Sequence, residues 1–308
     1  MAKECIYFSD RFNEAFDKML SEFRKSSEKS RQNYRNLAAS LCSYSKKDFL
    51  CLTRSDVCAY FGELGKLSES TRHQRLSVFR GIAKYMDNKA CVSQNLSDVF
   101  TGVSTDQRKI YTELEDLPEF SDIDKVLGIL KKNNSLDLFV ICTLALETGL
   151  SLADILSMNY ANFMTDKEGR SHIRIEPATE KGETRLIPLR KETALLVDRL
   201  GRQNAVNRNG MLTFTGRDPI FQNEHGKRLS ERMVQYGINS ACREASVKSF
   251  GISRLRTIAM ASMLKNGAPV ELLAKSVDET GTWFFHLNYV IKDLDTAPAT
   301  YCHIKIDW

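Results

Sequence analysis

Residues 253–289 run SRLRTIAMASMLKNGAPVELLAKSVDETGTWFFHLNY, and the interpretation of the whole chain starts from this stretch. Arg256 opens an apolar helix that Asn266-Gly267 ends, and Pro269 follows shortly after. Glycine after the last helical turn and proline just beyond it are common signals between two helices. Tyr289 lies 33 positions after Arg256. The stretch therefore predicts two short helices between the positive charge of Arg256 and the hydroxyl of Tyr289.

The order of these residues resembles the C-terminal half of a tyrosine recombinase (phage integrase) domain. In that family a histidine and, three positions on, an arginine precede a helix ended by glycine. A second helix, a histidine or tryptophan and the nucleophilic tyrosine follow. Arg256, Gly267 and Tyr289 fit this order, whereas Ser253 stands at the first histidine position and Glu279 is closest to the second ring position. The resemblance implies a DNA-cleaving site with part of its chemistry replaced.

Length and composition fit an ordinary two-domain globular protein. The chain has 308 residues, of which 42% are hydrophobic and 27% charged, enough for two domains that each bury a core. No run approaches the roughly 18 apolar residues of a membrane span, and the N-terminus lacks the apolar core of a signal peptide. We therefore expect a cytoplasmic protein with no membrane partner.

Positive charge is concentrated in the N-terminal part of the chain. Residues 1–112 hold 19 Lys and Arg against 13 Asp and Glu, a balance of +6, while the remainder holds 25 against 26. Excess positive charge favours a polyanionic partner, because neutralised phosphates release counterions. A helical domain with a charged, solvated surface that binds nothing has the same balance, so the charge alone does not decide.

The cysteines argue against two alternative classes of protein. Eight are scattered along the chain without a CxxC pair, which is typical neither of a disulfide framework nor of a zinc site. The sequence therefore predicts neither a disulfide framework nor a zinc site.

The first 112 residues predict a helical domain. Thr53 or Ser55 is a natural N-cap for one helix, and Ser68 opens another. The order of these helices resembles the SAM-like core-binding domain that precedes the catalytic domain in tyrosine recombinases. In that family the last of these helices faces the DNA, which makes four of its residues candidate contacts: Arg72, His73, Arg75 and Arg80. The alternative is that they only solvate a surface.

The remainder predicts a linker and a second domain. Residues 113–120 lose apolar periodicity and hold a proline, so we assign them to a linker. In residues 121–308 helices surround a stretch of alternating pattern, with predicted strands at 172–175 and 184–188 joined by a turn at Lys181-Gly182. Overall the sequence predicts a mainly α protein with a small antiparallel sheet: a helical core-binding domain followed by an α+β catalytic-type domain.

The resemblance implies that a tyrosine hydroxyl attacks a DNA phosphodiester and leaves a 3′-phosphotyrosine bond, without a metal or cofactor. The family stabilises this transition state with two arginines, a lysine and ring donors. Its first arginine lies in a Thr-Gly-Leu-Arg turn followed three residues on by a carboxylate. Here residues 148–154 are TGLSLAD, so Asp154 keeps the carboxylate but Ser151 replaces the arginine. Ser151 is also a natural helix N-cap.

Other basic residues are candidate phosphate contacts. Lys181 matches the family lysine that protonates the leaving 5′-hydroxyl, and Arg185 follows it just before an Ile-Pro-Leu strand end. Arg256 is the strongest match of all. Arg254 lies two positions earlier, about 200° around a helix, so it is a poor substitute for the missing arginine.

Two further points stay open on the sequence. Trp283 or His286 takes the second ring position if the register slips. Residues 301–308 alternate apolar and polar side chains, as a strand does; this tail adds a strand either within its own chain or on a neighbouring copy, which would make a homo-oligomer.

Three functions are consistent with these residues. The leading hypothesis is a protein that binds double-stranded DNA between two domains, with an impaired active site, and acts in DNA recombination or its regulation. The second is a working site-specific recombinase that uses Tyr289 with substituted helpers. The third is a protein-interaction module that never contacts DNA.

Overall fold

The computed structural model describes residues 6–22, 28–89, 95–103, 117–176, 184–206 and 216–277. Contacts between Cα atoms divide the chain into two compact units, Met1–Ile110 and Tyr111–Trp308. The predicted boundary at residue 112 and the first half of the predicted linker lie outside the described residues, so these limits stay predictions. Each unit is described by itself.

Five helices make up the described part of the first unit: α1 (Asp10–Glu22), α2 (Glu28–Ser45), α3 (Arg54–Glu63), α4 (Glu69–Asn88) and α5 (Leu96–Val99). Thr53 caps α3, because its hydroxyl accepts from the Asp56 amide while the Asp56 carboxylate accepts from the Thr53 amide at 2.8 Å. Ser68 caps α4 by accepting from the Thr71 amide at 3.3 Å. The helix starts predicted at these two residues are confirmed.

Aromatic side chains fill the core of the first unit. Phe12 stacks on Phe16 and on Phe49, and Phe49 stacks on Phe100, with ring centroids 5.0 to 6.0 Å apart. α4 adds its predicted apolar stripe, which is buried: Leu76, Phe79, Ile82, Ala83 and Met86. Since this stripe faces the core, the polar residues of α4 are left on its other faces.

Seven helices belong to the described part of the second unit: α6 (Phe120–Lys132), α7 (Leu136–Thr148), α8 (Leu152–Ser157), α9 (Lys191–Val206), α10 (Glu231–Glu244), α11 (Ile252–Lys265) and α12 (Val270–Val277). α7 is apolar nearly all round, as a helix buried on every side must be. Its buried hydroxyls are satisfied within the helix: Thr143 donates to the Phe139 carbonyl at 2.9 Å and Thr148 to that of Leu144 at 2.6 Å. The core of the unit forms around α7.

The second unit also holds a three-stranded antiparallel sheet in the order β1-β2-β3, with β1 at Phe163–Thr165, β2 at Ser171–Ile175 and β3 at Arg185–Leu189. Two of these strands were predicted, and β1 was missed because three residues are too few to show an alternating pattern. In β3, Ile187 and Leu189 face the core, whereas Leu186 is exposed. Since strand side chains alternate, Arg185 lies on the core side with Ile187.

Two features of the described residues bear on the expected protein class. No helix among them has the length and apolar character needed to cross a bilayer. None of their five cysteines is in a disulfide, and no three His, Cys, Asp or Glu side chains in these ranges are grouped as a metal site.

Candidate nucleic-acid interface

The turn after α7 is built around Gly149. Its φ of +66° is in the left-handed region, and a Cβ added there would come within 1.9 Å of Cε of Met260, a fully buried side chain of α11. Both constraints favour glycine. The Gly149 amide closes α7 by donating to the Ala145 carbonyl at 3.0 Å. α7 therefore ends at a fixed point, directly before the predicted site residue Ser151.

Ser151 is the N-cap of α8, as its position in the sequence suggested. Its Oγ accepts from the Asp154 amide at 3.1 Å and donates to Oδ2 of Asp154 at 3.0 Å. A serine in this arrangement satisfies one free amide at the helix start and orients the carboxylate behind it. The hydroxyl is thus committed to local structure.

Arg256 reaches from α11 to two other segments of the second unit. Its Nε donates to the Gly149 carbonyl at 2.8 Å, and one Nη donates to the Val277 carbonyl at 3.2 Å. These bonds tie the second turn of α11 to the turn after α7 and to the last residue of α12. The predicted site arginine is therefore held beside the Thr-Gly-Leu-Ser turn.

Arg185 lies at the start of β3 and also makes two contacts. One Nη donates to Oδ1 of Asp154 at 3.2 Å, and the other donates to the Ser276 carbonyl at 2.9 Å. Only 13% of its side chain is exposed, against 25% for Asp154. The carboxylate of Asp154 thus receives the Ser151 hydroxyl on one oxygen and the Arg185 guanidinium on the other.

The C-terminus of α12 brings the two arginines together. Ser276 and Val277 are the last two residues of this helix, where carbonyls have no partner within the helix and the helix dipole is negative. Arg185 takes the first of these carbonyls and Arg256 the second. Two guanidinium groups from different elements therefore meet at one helix end.

The other predicted residues of this site lie either in the first turn of α11 or outside the described residues. The side chain of Ser253 is exposed in the first turn of α11, and Arg254 is partly buried one residue further along. Lys181, Glu279 and Tyr289 lie outside the described residues, as do Trp283, His286 and the 301–308 tail. Their predicted roles stay predictions.

The four predicted contacts on α4 differ in how they are held. Arg72 pairs with Glu69 one turn earlier. Arg75 donates to the phenol oxygen of the buried Tyr60, and one Nη of Arg80 donates to the carbonyls of Phe100 and Val103 at 3.3 and 2.9 Å. Arg75 and Arg80 therefore hold the first unit together, whatever else they contact.

His73 lies in an open groove between α2 and α4. All of its lining side chains except that of Val78 can form hydrogen bonds: Ser30, Asn33, Tyr34, Ser70, His73, Gln74, Ser77 and Val78. The contribution of α2 was missed from the sequence. Its signal was the spacing of Ser30, Asn33 and Tyr34, which places three hydrogen-bonding side chains on one face of a helix.

The sequence of this chain matches a known protein family. A model described as "Phage integrase family" matches residues 116–278. Among curated proteins, none matches the sequence of this chain at a significant level.

Solved structures share the fold at low identity. The XerH site-specific recombinase bound to palindromic difH substrate has a TM-score of 0.68 at 14% identity, covering 95% of this chain and 88% of that one. A lambda integrase (75-356) dimer bound to a COC′ core site has 0.65 at 13%, covering 93% and 96%. The Tn1549 transposon integrase in complex with circular intermediate DNA has 0.62 at 17%, covering 90% and 94%.

The matched residues 116–278 include the turn after α7, the whole sheet and both helices that carry or receive Arg256. They make up more than half of the chain. This chain belongs to the phage integrase family of tyrosine recombinases.

Proposed function

We propose that this protein binds duplex DNA through its phosphate backbone and that its strand-cleavage chemistry is impaired. Family membership and the DNA present in the XerH, lambda and Tn1549 structures support the choice of partner. Arg256 supports it from within the chain, because a guanidinium fixed by two carbonyls is pre-organised to bind a phosphate oxygen.

The hydrogen bonds of Ser151 carry the second half of the proposal. Cleavage in this family depends on an arginine at that position, and here the side chain is neutral and engaged with Asp154. Losing one donor to a transition-state oxyanion costs about 2.7 to 4 kcal/mol, or roughly a hundred- to a thousandfold in rate. With Ser253 also unable to act as an acid or base, little cleavage is expected. Such a protein would act in DNA recombination or its regulation.

The groove between α2 and α4 is the second element that supports DNA binding. Serine, asparagine, glutamine and histidine side chains line it, and such groups donate to phosphate and base edges alike. Arg72, beside His73, adds a positive charge whose only ion pair among the described residues is with Glu69.

Binding is tested with the full chain and a 40-base-pair duplex of arbitrary sequence, over a series of salt concentrations. We expect the logarithm of the affinity to fall linearly with the logarithm of the salt concentration, since each neutralised phosphate contributes about 0.9 to the slope. Absence of binding at low salt would remove the proposal and favour the protein-interaction module.

Cleavage is tested separately with a nicked suicide substrate, which traps any 3′-phosphotyrosine adduct. We expect no adduct from the native chain. An adduct that disappears in Tyr289→Phe would instead identify a working recombinase. The two assays are independent, so DNA binding and impaired chemistry stand or fall separately.

A further inference from the structure

The proposed phosphate site lacks the arginine that the family has at the position of Ser151. We propose that Arg185 of β3, fixed by Asp154 and the carbonyl of Ser276 beside Arg256, supplies the guanidinium that Ser151 does not. This inference rests on the proposed DNA binding, and it assigns a phosphate contact within that site.

Two observations place Arg185 next to Ser151 and Arg256. It contacts Asp154, the carboxylate that Ser151 also holds, at 3.2 Å. It donates to the carbonyl that directly precedes the acceptor of Arg256 in α12. Because successive Cα atoms are about 3.8 Å apart, the two guanidiniums are anchored within one residue of each other.

The donors of Arg185 leave room for a ligand. An arginine has five N–H donors, and the hydrogen bonds of Arg185 within the described residues are two, one from each Nη. The planar fork that remains suits a phosphate, and its orientation is already fixed by the protein. Binding therefore requires little further ordering of this side chain.

The charge of the cluster fits the same ligand. Arg185 and Arg256 contribute +2 and Asp154 contributes −1, which leaves +1 in a place where the Arg185 side chain is 13% exposed. A DNA phosphodiester carries one negative charge and would balance it. The partial negative charge at the end of α12 holds both arginines there before a ligand arrives.

Three variants test the inference through the salt dependence of duplex binding by the full chain. Arg185→Gln is expected to reduce the slope of log affinity against log salt by about 1, equally for two unrelated duplex sequences. Arg185→Lys is expected to keep the slope, because it keeps the charge, even though a lysine cannot reproduce the fork. Asp154→Asn is expected to steepen the slope, since it removes the charge that offsets Arg185.

Arg174→Gln is the matched control. Arg174 lies on β2, opposite Leu186 on the outer side of the sheet, where it pairs with Glu176. Arg174→Gln lowers the protein's net charge by one, as Arg185→Gln does, but the lost charge lies on the other face of the sheet. A slope reduction as large in Arg174→Gln would show that overall charge, and not the site, is responsible, and would overturn the inference.

The alternative is that Arg185 only connects β3, α8 and α12. In that case Arg185→Gln and Arg185→Lys both lower the thermal midpoint. The slope of log affinity against log salt then equals that of the native chain, both for each Arg185 variant that folds and for Asp154→Asn. That result would also overturn the inference. If Arg185→Gln does not fold, the Asp154→Asn slope decides. Failure of the native chain to bind DNA is a different outcome, which would remove the proposed function as well.

Discussion

The arginines of α4 differ in arrangement from Arg185 and Arg256, which come from β3 and α11 and donate to the end of α12. On α4, Arg75 donates to the Tyr60 hydroxyl and Arg80 to the carbonyls of Phe100 and Val103, so the two share no acceptor. At the end of α12, Arg185 and Arg256 arrive from two elements and donate to neighbouring carbonyls of a single helix end. A row of arginines along a helix thus need not be a binding surface, whereas convergence of two arginines on one helix end favours a phosphate site.

The difference teaches how phosphate sites are recognised in a sequence of this kind. The α4 arginines Arg72, Arg75 and Arg80 follow one another closely along one helix, so they are visible in the sequence. Arg185 and Arg256 are 71 positions apart in the chain, and neither resembles a partner of the other until the fold brings them together. The variants below test whether the two groups differ in function as they do in arrangement.

Arg256→Gln should have the largest effect on the second unit. It removes two hydrogen bonds from a charged donor to main-chain carbonyls, each of which contributes about 1.5 to 3 kcal/mol. We expect a loss of about 3 to 6 kcal/mol in the free energy of unfolding by urea, together with weaker duplex binding. Arg202→Gln is the control, because it breaks only an exposed pair with Asp198; equal losses in both would contradict the prediction.

Gly149→Ala should come next, because it disturbs the acceptor of Arg256. A left-handed alanine costs about 1 to 2 kcal/mol, and displacing the buried Met260 methyl adds about 1 to 3 kcal/mol. Gly169→Ala is a matched control with φ +79° and no atom within 4 Å of the added Cβ. The difference between the thermal midpoints of the two variants measures the cost of displacing Met260. Equal midpoints would show that this cost is absent.

Arg80→Gln should destabilise the first unit without changing the salt dependence of DNA binding. Its bonds to the Phe100 and Val103 carbonyls come from a single Nη and are only partly buried, so we expect a loss of about 1 to 3 kcal/mol. Urea unfolding measures the loss and a salt series measures the slope. A slope reduced by about 1 would make Arg80 a phosphate contact after all.

Ser151→Ala should have the smallest effect, near 1 kcal/mol, because it removes an N-cap. Ser230→Ala removes the N-cap of α10 and serves as the control. Equal losses in thermal stability, with unchanged duplex binding, would agree with a purely local role for Ser151. A distinctly larger effect at Ser151 on binding than at Ser230 would mean that its hydroxyl acts on the ligand through Asp154.

Much of the fold was predictable because its signals are local. The caps at Thr53, Ser68 and Ser151 act within three residues, and the apolar stripe of α4 repeats within one helix. The short strand β1 was missed because it is too short for its alternation to be visible. The polar face of α2 was missed because its groove forms only when α4 packs alongside.

The candidate site was predictable only in part. Sequence order identified Arg256 and the turn at Gly149, and it included Arg185 only as one of several basic residues. Nothing in the order showed that Arg185 contacts Asp154, since a strand residue and a helix residue 31 positions apart share no periodicity. Alternation along β3 predicts on which side of the sheet Arg185 lies, but not which residue it contacts.

By itself the sequence determined the helices, their caps and the family to which the chain belongs, because those depend on contacts between residues within a few positions and on the order of motifs. Tertiary structure alone decided what surrounds each charge. Arg256 meets the Gly149 carbonyl 107 positions away, and Arg185 meets the end of α12 across 91. Such bonds form only when packing of the buried helix α7 and the sheet has fixed where each backbone segment ends, and no local pattern encodes that position.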